Sequence, residues 1–214
     1  MLPDFPRGRP PRPWPAVALV LVGALLVGCG GGSIASFVPS STCGADGRAA
    51  GAYPELEARL PASFHAAPPV SVDSGRHCSE AALGSLITHH ASNVQFAGAV
   101  WDLGGGTAIS SAIFRLPGTD LPADWIAEFY DIGARTAKRT GNIETSSPTV
   151  PGAGQAFRLD TLNDLSLQTV LVWQDGPLVR VVLVATPVSP GASVRAHDDL
   201  VDAAAAVTVE AEGP

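Results

Sequence analysis

The two apolar, β-branched runs at 167–173 and 178–186 constrain this chain more than any other feature, because Asp175-Gly176 stands between them. Asp-Gly is the pair that a two-residue type I′ turn requires, so the runs are predicted to close into an antiparallel hairpin. Their apolarity is nearly continuous and hardly alternates with polar residues. Strands of that kind have little solvent on either face, which predicts central positions in a sheet.

A second hairpin is predicted from the runs at 94–101 and 107–116, joined by Asp102-Leu103-Gly104-Gly105-Gly106. Glycines there supply the positive φ of a tight reversal. Asp120 and Pro122 then open a helix in which Trp125, Phe129 and Ile132 form an apolar stripe, with Ile126, Tyr130 and Ala137 beside it. Asp124 and Glu128 come early in it, and Arg135, Lys138 and Arg139 late, as the helix dipole favours. Ser193 is placed to cap a last helix with a stripe of Leu200, Ala203, Ala204 and Val207. Residues 53–60 read as a short helix, and Ser79 caps another whose Leu83, Leu86, Ile87 and His90 share one face. The stretch 61–76 reads as Pro-rich and irregular, and 155–159 as a strand after a loop at 146–154. The expected class is α+β: one domain, with an antiparallel sheet of about four to five strands in two hairpins packed with helices. The two hairpin-then-helix halves also hint at an internal duplication.

Before this domain, Arg7, Arg9 and Arg12 precede an uncharged apolar run at 17–27. That order is a positive n-region followed by an h-region. The run has roughly half of the ~20 residues that a membrane-spanning helix needs. It ends in Leu26-Val27-Gly28-Cys29, which resembles the lipobox of bacterial lipoproteins. The resemblance covers residues 1–33. It implies cleavage after Gly28, a diacylglyceryl group on the Cys29 thiol, and often a further acyl chain on the new amino group. Two or more chains give durable anchoring. The chain is accordingly divided into a signal peptide at 1–28, a Gly/Ser-containing tether at 29–42, a globular α+β domain at 43–209 and a tail at 210–214. The expected location is the outer face of the cytoplasmic membrane or another envelope membrane, with the lipid anchor as the membrane partner.

Removing residues 1–28 takes away three arginines and Asp4 and moves the formal charge from −7 to −9. An acidic chain with no basic run has no counterion-release drive toward nucleic acid and is repelled by anionic lipid, so nucleic acid is not an expected partner. With Cys29 lipidated, Cys43 and Cys78 remain as a pair in an oxidising compartment, which predicts a disulfide worth roughly 3–4 kcal/mol on the chain-entropy model. The competing reading is a metal site on Cys43, His77 and Cys78. Adjacent His77 and Cys78 are awkward ligands for one ion, and a fourth ligand is not evident.

Candidate chemistry is sparse. Asp102 to Thr107, Asp-Leu-Gly-Gly-Gly-Thr, resembles a phosphate-binding hairpin of the ATPase superfamily that includes actin and the sugar kinases. That hairpin works opposite a second phosphate loop and an adenosine pocket, and neither is evident here, so the glycines are assigned to the turn. There is no Gly-x-Ser-x-Gly, His-Glu-x-x-His or Ser-x-x-Lys motif. His65, His77, His89, His90 and His197 are the side chains that titrate near neutrality. His89 and His90 point about 100° apart on a helix, and the acids beside His197 have a capping reason to be there. Trp101, Trp125 and Trp173 are read as core packing, with Trp173 the first to examine for exposure. No catalytic, cofactor or metal residue is assigned. The leading reading is a non-catalytic, lipid-tethered domain that binds an unknown protein or small molecule. The alternative is a cell-envelope hydrolase assembled from dispersed histidines and carboxylates, and it requires two or more of His89, His90, His197 and a carboxylate to converge in one concave site.

Overall fold

Both predicted hairpins are present, each longer than its apolar run. The computed structural model describes residues 37–163, 165–188 and 193–211; the expected signal peptide, Cys29 and the first part of the expected tether lie outside these residues, as do 212–214 of the predicted tail. Strands β1 (Gly47–Ala49), β2 (Ser71–His77), β3 (Val94–Gly104), β4 (Thr107–Arg115), β5 (Thr140–Ser146), β6 (Thr149–Val150), β7 (Gly154–Asn163), β8 (Ser166–Asp175) and β9 (Leu178–Pro187) form one antiparallel sheet. Its order is β1-β2-β3-β4-β9-β8-β7-β5, with β6 paired to β7 off this path.

This corrects the expected sheet of four to five strands to nine. The additional strands are polar, so hydrophobic periodicity does not reveal them. β2, Ser-Val-Asp-Ser-Gly-Arg-His, lies in the stretch read as irregular, yet its last four residues are buried because β1 and β3 pair on either side of it. Gly75 permits that approach: a Cβ there would lie 2.2 Å from the Gly47 carbonyl oxygen. β5 is an edge strand with only Ile143 directed toward the core, and its register slips between Gly141 and Glu144. The apolar pair β8 and β9 is internal, as its composition predicts.

Helices cover both faces of the sheet. One face packs against α1 (Pro54–Glu57), Phe64 and α4 (Val194–Glu210), and it buries Trp101, Ile113, Leu171, Trp173 and Val182. The other packs against α2 (Glu80–Leu83), the 3₁₀ turn that continues it (Gly84–His89), and α3 (Ala123–Thr136), and it buries Phe96, Phe114, Val172 and Val181. Each Val or Leu buried in this way contributes about 1.5–3 kcal/mol. A two-fold axis exchanging β4 and β9 would keep both helices on one face, so α3 and α4 on opposite faces do not support a duplication.

Both long helices are rotated from their predicted stripes. On α3 the sheet-facing residues are Ile126, Ala127, Tyr130 and Ala134, while Trp125 and Phe129 are half-buried and Ile132 is exposed. On α4 they are His197, Val201, Ala204, Ala205 and Thr208. Two polar residues belong to that face because the sheet offers partners: Thr208 Oγ1, whose proton goes to the Ala204 carbonyl at 2.9 Å, lies 3.3 Å from Ser111 Oγ, and His197 meets two threonines. In the 3₁₀ turn Ile87 and His90 are exposed, since α2 ends after one turn at Gly84.

The tether's last part, 37–42, is held against the domain. Arg76 donates to the carbonyls of Pro39, Ser41 and Thr42 and to Ser41 Oγ, and its guanidinium lies 5.3 Å from the Phe37 ring centroid.

The β3–β4 turn has φ of +79°, +60° and +86° at Gly104, Gly105 and Gly106, and Asp102 Oδ1 accepts from the Gly104 N–H at 2.8 Å. The three glycines are therefore accounted for by turn geometry. Gly105→Val is expected to destabilise the protein by roughly 1–3 kcal/mol, because a β-branched residue is strained at positive φ. Asp102→Ala, which removes one exposed hydrogen bond, is expected to cost under about 1 kcal/mol. Urea unfolding of the two variants checks the contrast, and equal midpoints would contradict it.

Candidate functional site

The helix α4 covers β9 and β4 but stops short of the outer strands, leaving a polar shelf on β5, β7 and β8 beside its first two turns. Ser193 starts the helix there, its Oγ accepting from the Ala196 N–H at 3.4 Å. Alternation then brings Glu144 of β5, Arg158 and Asp160 of β7, and Leu167 and Thr169 of β8 to the same face as Val194, His197 and Asp198 of α4. Together they line a cleft of about 280 Å³.

His197 is 4 % exposed, with a threonine on each ring nitrogen. Its Nε2 lies 2.8 Å from Thr169 Oγ1, and its Nδ1 lies 2.8 Å from Thr186 Oγ1 on β9. Thr169 Oγ1 in turn donates to Asp160 Oδ1. An ionised carboxylate only accepts, so the Thr169 proton is committed to Asp160 and its oxygen must accept from His197 Nε2–H. The neutral ring then presents Nδ1 as acceptor to the Thr186 hydroxyl. One donor direction runs through the whole chain, Thr186 to His197 to Thr169 to Asp160.

Arg158 closes the other side. Its Nε donates to Asp160 Oδ2 at 2.7 Å and its Nη2 to Asp198 Oδ1 at 2.6 Å, and these two carboxylates hold the guanidinium firmly in its charged form. What the cleft leaves for a ligand is mainly acceptors, at Glu144 and at the second oxygen of Asp198, beside the apolar side chains of Leu167 and Val194. A ligand bringing hydrogen-bond donors fits that set.

Burial pushes the His197 pKa below its ordinary value, although Asp198 and Asp160 pull it up, with Arg158 adding to the depression. Burial does the same at His77, where Asp46 opposes it and Arg48 adds to it. Both rings are neutral in the folded protein at pH 7 and charge more readily when unfolded, so the unfolded state binds more protons as pH falls below about 6.5. Stability is expected to decline from pH 7 toward pH 5, by at most about 1.4 kcal/mol per pH unit for each ring. Urea midpoints across that range check the sign, and a midpoint that rises on acidification would contradict it.

The structure distributes the other candidates. Cys43 and Cys78 are joined by a disulfide, Cα to Cα 5.8 Å, as predicted. That bond takes up both thiols, which overturns the alternative metal site on Cys43, His77 and Cys78, and His77 stacks on Phe96 at 4.6 Å. Asp46 accepts from the backbone N–H groups of Cys78 and Ser79 and from Ser79 Oγ, which fixes the disulfide's end of β2. His89 lies over Trp125 at 4.5 Å with its Nε2 2.7 Å from Glu128 Oε2, on the face of the sheet opposite to His197. His90 is exposed in a left-handed conformation, and His65 stacks on Phe64. Trp173 is fully buried, as is Trp101, whereas Trp125 is the half-exposed one. His197 is thus the single histidine lining the cleft.

No family model, no curated protein and no solved structure matches this chain.

Proposed function

We propose that the protein is an exported lipoprotein, anchored through acyl chains on Cys29 to the outer face of the cytoplasmic membrane or another envelope membrane, whose domain binds a ligand without transforming it. The anchor rests on the charge, length and lipobox pattern of residues 1–29. The binding reading is carried by one observation: both nitrogens of His197 are engaged by buried or half-buried threonines, so the imidazole has no free acceptor to take a proton from a substrate. The outward acceptors of Glu144 and Asp198 are the groups that meet a ligand.

Two measurements test the two parts. Mass spectrometry of the mature N-terminus should show Cys29 carrying acyl glycerol, and an exported protein with an intact Met1 terminus overturns the anchor. Binding partners captured by the native protein should be lost with Glu144→Gln and Asp198→Asn together. Hydrolysis of envelope material, abolished by His197→Gln in a folded protein, overturns the non-catalytic reading.

A further inference from the structure

The strand registers place a set of aliphatic side chains at one end of the sheet. β2, β4, β5 and β8 begin at this end, where β3, β7 and β9 finish: Ser71 is opposite Val100, Gly104 opposite Thr107, Thr140 opposite Asn163, and Ser166 opposite Pro187. The N-terminus of α4 and the C-terminus of α3 adjoin it through their connections to β9 and β5. Eight large hydrophobic side chains are exposed among the described residues, and six of them sit here: Val70, Leu103, Ile132, Leu165, Val188 and Val194. Val70, Leu165, Val188 and Val194 are each more than half exposed, and the Val188 N–H donates to the Leu165 carbonyl at 2.8 Å. Turn tips normally carry polar residues, so this concentration is unusual for a surface that faces water alone.

We propose that this end is a membrane-contact surface that inserts its aliphatic tips into the interfacial layer of a lipid bilayer. The side chains come from the start of β2, the β3–β4 and β7–β8 turns, the two ends of the β9–α4 connection and the C-terminal half of α3, and no aromatic residue is among them; protein docking sites concentrate their energy in Trp, Tyr and Arg anchors. Separate Leu, Ile and Val side chains beside cations suit the headgroup boundary of a bilayer. Lys138 and Arg139 follow α3 here, and Arg195 starts α4, against Asp102 and Asp164 in the turns. The chain as a whole is acidic, but charges more than about 10 Å away are largely screened at 0.1 M salt, so the lipid meets the local charges of this end rather than the net charge.

The tether is long enough for this orientation. Phe37 is held by Arg76 at the far end of β2, six residues from Val70 and therefore about 20 Å away along the strand. Eight Cα–Cα steps separate Cys29 from Phe37, a reach of up to about 27 Å. An acyl chain on Cys29 can therefore enter the bilayer on which the turns rest, and the tether raises the local lipid concentration enough for weak apolar contacts to act. This reach depends on the Cys29 anchor proposed above; partition of the unlipidated chain does not.

The test uses the mature chain, residues 29–214 with Cys29→Ser, floated with phosphatidylcholine vesicles containing a quarter phosphatidylglycerol. The chain should float with the vesicles, and Leu165→Ser, Val188→Ser and Val194→Ser combined should reduce the bound fraction at least tenfold, whereas Val38→Ser at the opposite end should not change it. Fluorescence gives a second reading that survives any folding defect of the triple variant: emission of Leu165→Trp should shift to the blue on adding vesicles, and that of Val38→Trp should not. Absence of flotation, flotation retained by a folded triple variant, or an unshifted Leu165→Trp spectrum overturns the proposal. A soluble protein captured through this end in place of lipid overturns it equally. Failure of the Cys29 mass measurement with flotation intact would remove the anchor and leave the surface.

Discussion

Asp175→Ala is expected to destabilise the protein by about 3–5 kcal/mol. Asp175 was identifiable as the first residue of a type I′ turn, and at an exposed turn its loss would cost little. Its carboxylate, however, accepts from Arg180 Nε at 2.8 Å and lies 3.1 Å from Arg59 Nη2. Arg180 is wholly buried on β9, and it also donates to the carbonyls of Arg59 and Thr208. Removing Asp175 takes from the buried guanidinium the carboxylate that pairs with it at 2.8 Å. Arg180→Met, which removes the charge with its partner's need for it, should be far milder. Urea unfolding of both variants provides the comparison; a loss below about 1 kcal/mol for Asp175→Ala would show that the pair is solvated.

Cys43→Ala with Cys78→Ala should cost about 3–4 kcal/mol, from the restriction that a 35-residue loop places on the unfolded chain. The effect should be global, because the loop contains β1, α1 and β2, and Arg76 within it holds the segment at 37–42. Calorimetric unfolding with and without reductant checks this. A melting temperature unchanged by reductant would mean that the bond adds nothing to the fold.

The parts of this fold that were legible in the sequence are those with local causes. Asp175-Gly176 and Gly104 to Gly106 dictate turns through backbone conformation, and α3 has its polarity and period within fourteen residues. β2 and β5 were illegible because their pairing is decided by neighbours distant in sequence, and their own residues are polar. The helix stripes were found with the correct period and the wrong centre, since the centre depends on what the opposing sheet offers. His197 illustrates this best. Beside Asp198 and Asp199 it reads as a residue of a helix's first turns, while Thr186, Thr169, Asp160 and Arg158 reach it from three strands. Arg180 is itself legible as a lone charge inside the apolar run 178–186, and a charge in a buried strand requires a partner nearby.

The sheet order also sets a sequence of events for folding. β1 to β4 form one meander and β5 to β9 another, each built from neighbours in the chain, and they meet only where β4 pairs with β9. Residues 108–115 there face 178–185 across a separation of about 70 residues, so the seam carries the largest loop-closure entropy of any ladder in the molecule. Local meanders therefore form before the seam. Until it closes, β9 is an open edge whose Val179, Val181, Val182, Leu183 and Val184 are apolar on both faces, the kind of edge that pairs with another chain.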